Sequence, residues 1–198
     1  MTTSKPQFLV GCGILAREIE FLIRKNGWDL QTDFLESSLH VNLGRLQQQL
    51  TGCLDRHRGE HPIVFYGCCH PLMDRMLEQA ATFRTEGQNC VEMLLGRERF
   101  MAELEQGAYF LLEDWVRHWE PVMNQTFGCR WDIARAIFHE DRRYLLAIRT
   151  PVSGDFTAEA ERAAASIELP LRWMEVDLDH LEQVLQAAVD RRRDSHRP

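Results

Sequence analysis

No hydrophobic run among the 198 residues is long enough to cross a membrane, no cysteines stand in a Cys-x-x-Cys pair, and no internal repeat or low-complexity segment is present. Together with the polar opening Met1-Thr-Thr-Ser-Lys-Pro-Gln, the first absence predicts neither a signal peptide nor a membrane span, and a cytoplasmic location. The second rules out a routine zinc finger, so any metal site has to be assembled by the tertiary fold. Positive charge is also in deficit. With 23 Lys and Arg against 30 Asp and Glu, the formal net charge of −7 argues against nucleic acid or an anionic membrane as partner.

What is present is a chain 44% hydrophobic and 27% charged, ordinary for a globular protein and long enough for one domain with a substantial core. Short β-prone runs alternate with helical patterns, which predicts a single Rossmann-like α/β domain with a mostly parallel sheet and helices on both faces. Phe8–Val10 reads as a strand, followed by a helix carrying Ile14, Leu15, Ile19, Leu22 and Ile23 and ending near Asn26-Gly27. A second unit runs from Leu30–Leu35 into Leu43–Leu50. A third pairs a strand at Ile63–Tyr66 with a helix through Leu72, Met76 and Leu77, where Pro71 suits the first turn. Asn89–Val91 reads as a short strand and Met93–Leu104 as helix. Ala108–Leu112 and Tyr144–Ile148 read as strands around a helical stretch in which Trp115 and Trp119, four apart, face the core from one helix. Leu171–Val176 followed by Leu178–Val189 closes the domain, with Asp179 and Glu182 as a helix-start signal. Residues 1–7 are then a polar leader, 8–190 the domain, and 191–198 a basic, frayed tail.

Six cysteines without a secretion signal read as reduced thiols, metal ligands or catalytic groups rather than a disulfide framework. Three of them, Cys12, Cys69 and Cys90, stand where an apolar run gives way to a glycine or a helical pattern. If those runs are parallel strands, the thiols converge at the sheet edge where ligand sites form. Cys53, in a predicted helix, and Cys129, beside a turn, read as structural. Glu18 and Glu92 follow Cys12 and Cys90 closely but read as surface carboxylates.

Taken in order, Gly11-Cys-Gly-Ile-Leu-Ala-Arg-Glu-Ile-Glu, Phe34-Leu-Glu-Ser-Ser-Leu-His, Tyr66-Gly-Cys-Cys, Cys90-Val-Glu-Met-Leu-Leu-Gly, Gly107-Ala-Tyr-Phe-Leu-Leu-Glu-Asp-Trp and Pro151-Val-Ser-Gly-Asp resemble the motifs of an uncharacterised prokaryotic family, domain of unknown function 1638. The resemblance implies a Cys…Leu-His…Tyr-Gly-x-Cys…Cys pattern, carried here by Cys12, His40, Cys69 and Cys90. In the family a glycine follows the Tyr-Gly-x-Cys cysteine, where this chain has His70, and Cys68 takes the variable position. It also implies a setting in C1 metabolism beside corrinoid-dependent methyl transfer, with a corrinoid protein or methyltransferase as partner.

Chemistry supplies three readings of these residues. Three thiolates and an imidazole complete a tetrahedral zinc site, and three thiolates can alternatively hold an iron–sulfur cluster with one open iron. Cys12, Cys69 and Cys90 are the expected ligands, His40 a fourth, and Cys68 or His70 substitutes. Sulfur separations of about 3.5–4 Å are expected for zinc and up to roughly 7 Å for a cluster. Alternatively, Gly11-x-Gly13-x-x-Ala16 after a strand, with Asp33 as the ribose acid, fits a dinucleotide fingerprint. In the third reading Cys12 and Cys69 act as a metal-free catalytic pair, each thiol drawn towards thiolate by a helix N-terminus, or the chain is a structural interaction module.

Overall fold

The computed structural model describes residues 7–194; the polar leader up to Pro6 and the last four residues of the basic tail lie outside the described residues. Among the described residues seven strands are interspersed with ten α-helices. Strands β1 (Gln7–Cys12), β2 (Leu30–Leu35), β3 (Ile63–Phe65) and β4 (Phe83–Arg84) form one parallel sheet in the order β2-β1-β3-β4, and β5 (Ala108–Leu111), β6 (Tyr144–Arg149) and β7 (Leu171–Glu175) form a second parallel sheet in sequence order. The fold is thus the expected Rossmann-like α/β class, with its strands divided between two sheets. β3 is buried throughout and β6 at five of six positions, as parallel strands covered on both faces must be.

Period-2 alternation sorts the first sheet's side chains into two layers. Leu9, Ile63 and Phe65 face helices α1 (Ala16–Asn26), α4 (Cys90–Leu95) and α10 (Asp179–Asp194), packing on Leu15, Ile19, Leu22, Met93, Leu181 and Leu185. Val10, Leu35 and Val64 face α2 (Leu43–Arg56) and α3 (Met73–Gln79), packing on Leu46, Leu50, Met73 and Leu77. The second sheet packs Leu111, Leu145 and Ala147 on α6 (Glu113–Arg117), α7 (Trp119–Phe127), α8 (Trp131–Asp141) and α9 (Thr157–Ile167). Leu112 and Ile148 reach into the first sheet's core and join the halves.

Four local expectations change. Asn89–Val91 is not a strand: Asn89 is an N-cap whose side chain accepts from the Glu92 amide at 2.9 Å, so Cys90 opens α4. The helix expected over Met93–Leu104 is two helices, α4 and α5 (Arg97–Glu105), parted at Gly96 with φ 79°. Trp115 and Trp119 are both buried, yet sit on α6 and α7 with His118 between them rather than on one helix. The basic tail is helical through Asp194, because Arg192 is buried and donates to the Glu60 carbonyl while the Arg191 guanidinium lies 4.2 Å from the Phe83 ring centroid.

Candidate functional site

The strand order places β2 and β3 on opposite sides of β1, so the chain leaves β1 one way and returns on the other. The crevice at the carboxyl ends of β1 and β3 is where ligands bind in open α/β sheets. β1 ends on Cys12, before a 3₁₀ turn at Gly13–Leu15. Beyond β2, a second 3₁₀ turn at Ser37–Val41 carries His40. Beyond β3 the chain runs through Tyr66, Gly67 and Cys69, and it meets the start of α4 at very short range. A Cβ on Gly67 would stand 2.2 Å from the Gln88 carbonyl oxygen and 2.6 Å from Asn89 Cα. Only glycine allows that approach, which the Cys68 amide seals by donating to Gln88 O at 2.8 Å.

The result is a cavity of about 220 Å³ lined by Cys12, His40, Tyr66, Cys69, Asn89 and Cys90 over a floor of Leu39, Leu46, Phe65 and Met93, with Glu36 and Ser37 also on its wall. All four residues of the Cys12, His40, Cys69, Cys90 set line this one space. Cys12 and Cys69 pack towards the α2/α3 layer and Cys90 towards the α1/α10 layer, so the cavity straddles the end of the sheet. Neither substitute lines it. Cys68 is exposed, its Sγ 3.3 Å from an Arg84 guanidinium nitrogen, and buried His70 uses Nδ1 to accept from the Leu72 amide at 3.0 Å.

Burial dominates the electrostatics. It pushes the Cys90 thiol up to about 12, with Cys69 adding to the shift, and raises Cys12 and Cys69 above the ordinary thiol value as well. Without a metal, burial therefore favours the protonated thiols, against the thiolate character that the metal-free catalytic pair requires: desolvation outweighs the pull of helix N-termini. Tyr66 is raised by the same cause; it is 3% exposed and its hydroxyl has no hydrogen-bond partner among the described residues. His40 stands at the mouth, stacked on Trp115 with ring centroids 4.6 Å apart. Its Nδ1 lies 2.7 Å from the Ser37 carbonyl, which can only accept, so Nδ1 carries the proton and Nε2 keeps its lone pair. Desolvation lowers its pKa from the ordinary histidine value, favouring that neutral form. A backbone carbonyl on the far nitrogen is the usual support of a metal-ligating histidine.

A second cluster lies on the α2 side of β2. Asp33, Cys53 and His57 are, among the described residues, the one group of three or more such side chains whose ligand atoms all lie within 4.8 Å of one another, close enough to hold a metal ion. Asp33 Oδ2 already accepts from Cys53 Sγ at 3.1 Å and Arg56 at 3.0 Å, and faces His57 Nε2 at 3.1 Å. The other His57 nitrogen faces Glu60 at 2.9 Å. Nothing in the sequence singled out His57, and Cys53 read as structural; the signal available was Cys53 and His57 at i and i+4 near the end of one helix. By the same 4.8 Å measure, no three of Cys12, His40, Cys69 and Cys90 draw together so closely, so the cavity is wider than a closed tetrahedral zinc site.

Those contacts also bear on the dinucleotide fingerprint. Asp33 sits two residues short of the end of β2 with its carboxylate engaged, and Gly11 and Gly13 have packing reasons to be glycine: a Cβ would stand 3.0 Å from Phe65 Cβ or from the Leu35 carbonyl oxygen. Glu18 and Glu92, expected on the surface, are buried at 7% and 9% exposure. Glu18 accepts from Thr150 Oγ1 at 2.8 Å, and burial raises its pKa.

Fold and cavity together define an α/β protein with a thiol-lined site at a strand switch point. The chain belongs to the family described as protein of unknown function (DUF1638), whose model matches residues 34–185, a span that takes in His40, Cys69 and Cys90 and leaves out Cys12. No curated protein and no solved structure matches the chain significantly. Among the described residues no helix is long and apolar enough to cross a membrane.

Proposed function

We propose that this protein binds a metal centre through Cys12, Cys69 and Cys90 at the carboxyl ends of β1 and β3. The observation that carries this reading is convergence: three cysteines from distant parts of the chain, with a histidine whose Nε2 lone pair is available, line one cavity. Thiolate and imidazole donors suit zinc, with His40 completing four ligands. The separation beyond 4.8 Å favours, as a second reading, an iron–sulfur cluster spanning the three thiolates. The Asp33 trio is the weaker centre, because a metal there would displace hydrogen bonds already made and would meet the Arg56 cation on the same oxygen. A corrinoid protein or methyltransferase as partner, and a place in C1 metabolism, rest on the family resemblance alone.

Metal analysis of anaerobically purified protein tests the reading. Cys69→Ser is expected to lose most of the bound metal, with Cys53→Ser and the exposed Cys129→Ser retaining it. Bound iron with visible absorption identifies the cluster, and colourless protein with zinc the tetrahedral site. Metal lost with Cys53→Ser and kept with Cys69→Ser would place the centre at the Asp33 trio and overturn the proposal.

A further inference from the structure

Two of the sequence motifs, residues 107–115 and 151–155, supply no lining residue to the thiol cavity. The structure joins them through α6, a short helix that opens on Glu113-Asp114-Trp115 and packs against the second sheet. Each of these three side chains is fastened to a different part of the molecule. Glu113 Oε1 accepts from the Arg17 guanidinium of α1 at 2.8 Å, and its Oε2 accepts from the Gly154 amide at 2.8 Å. Asp114 Oδ2 accepts from the Ser37 hydroxyl. The Trp115 ring stacks on His40, centroids 4.6 Å apart. A helix of the second half is thereby tied to α1 and to the turn that follows β2.

Ser37 is where this tie meets the metal site. It is 3% exposed, and it spends its hydroxyl on Asp114 and its carbonyl on His40 Nδ1 at 2.7 Å. Held at both groups, its peptide cannot turn without breaking one of the two bonds. His40 itself is exposed, so core packing does not fix its ring. The Ser37 carbonyl at one edge and the Trp115 ring against one face fix it instead. An exposed side chain ordered in this way has given up rotamer freedom before any ligand arrives.

We infer that Asp114 is a positioning residue of the metal centre: it anchors Ser37, and Ser37 together with Trp115 orients His40 as the fourth ligand beside the three cysteines. The inference rests on the metal reading above and extends that site to a helix of the other sheet.

Cobalt(II), added to chelator-treated full-length protein, is the probe. Its sulfur-to-cobalt charge-transfer band reports thiolate ligands, and its visible d–d envelope reports the remaining donor. His40→Ala is expected to change the d–d envelope and weaken binding while the sulfur band of the bound ion stays. Ser37→Ala and Asp114→Ala should each weaken binding about 10-fold, the usual order for a group that orients a ligand, again with the sulfur band intact. Asp114→Asn keeps an oxygen that accepts from Ser37 and should restore wild-type affinity. In the His40→Ala background neither Ser37→Ala nor Asp114→Ala should cost anything further, because the histidine that they orient is gone. Ser37→Ala breaks the same bond with the smaller change, and it carries the test if Asp114→Ala does not fold. A loss that persists in the His40→Ala background, or Asp114→Asn binding no better than Asp114→Ala, makes the contact purely structural and overturns the inference. A His40→Ala spectrum identical to wild type, or a wild type without the sulfur band, overturns it as well. A sulfur band that survives Cys69→Ser at full intensity overturns the metal reading beneath it.

Discussion

Glu18 shows how a single side chain can work against the fold that holds it. It stands on the first turn of α1, where a carboxylate is favoured by the helix dipole, yet it is buried against Thr150. Desolvation raises its pKa, so the native state prefers the protonated form while the unfolded chain is ionised above the ordinary value of 4.5. A group shifted this way contributes stability below that value and loses it as pH rises through the folded pKa. At neutral pH Glu18→Gln keeps an acceptor for Thr150 and removes the buried charge, and is expected to stabilise by about 1 kcal/mol, read as a higher midpoint in urea. An unchanged or lowered midpoint would mean that the charge is compensated by Arg17. Reading the sequence placed Glu18 on the surface because carboxylates usually are; that Ile148 and Thr150 would cover it depends on contacts 130 residues away along the chain.

Among the elements that build the cavity, α4 is the one the sequence left ambiguous. Asn89 through Gly96 has the composition of either a strand or a short helix, and the deciding feature was a cap followed by an acid three residues later, Asn89 and Glu92, rather than periodicity. By contrast α1, α2 and β6 have enough turns or enough consecutive apolar residues to be legible directly. β4 is two residues long with Arg84 as half of it, too short for any pattern. The joint between β3 and α4 can be tested at Gly67. Gly67→Ala drives a methyl into backbone that cannot yield, and is expected to cost more than about 2 kcal/mol and to part Cys69 from Cys90. Asn89→Ala should cost only about 1 kcal/mol, the loss of one cap, with metal binding retained. Equal effects of the two would show that the close approach at Gly67 is not what aligns the thiols.

The protein as a whole should show opposite responses to alkali depending on what fills the cavity. In metal-free protein the unfolded thiol loses its proton near the ordinary value of 9.0, whereas Cys90 keeps its own up to about 12 and Cys12 and Cys69 are shifted the same way. Above pH 9 the unfolded state therefore binds fewer protons than the native state, and stability falls as pH rises. A loss of about 1 kcal/mol or more between pH 8.5 and 10.5 is expected, or about 2–4 °C in Tm. Metal-loaded protein must instead release those protons on binding, so its metal affinity should rise with pH from the acid side. Identical alkaline profiles for wild type and Cys90→Ala, both metal-free, would refute the assignment of the slope to these thiols.

The return of α10 to the first sheet has a consequence for synthesis. Leu9, Ile63 and Phe65 leave the ribosome long before Leu181, Leu185, Ala188 and Val189, which cover that face. Until α10 emerges, the first sheet carries an uncovered hydrophobic face, and Cys90, at the start of the α4 that packs on α10, is not yet shielded. Domains that fold as they are made can do so from the N-terminus, but this chain cannot complete the core of its first sheet before α10 is released. Until α10 is made, Cys90 stays open to oxidants and to any metal the ribosome's surroundings offer, which makes a chaperone-held or co-translationally metallated nascent chain the physiological folding substrate to look for.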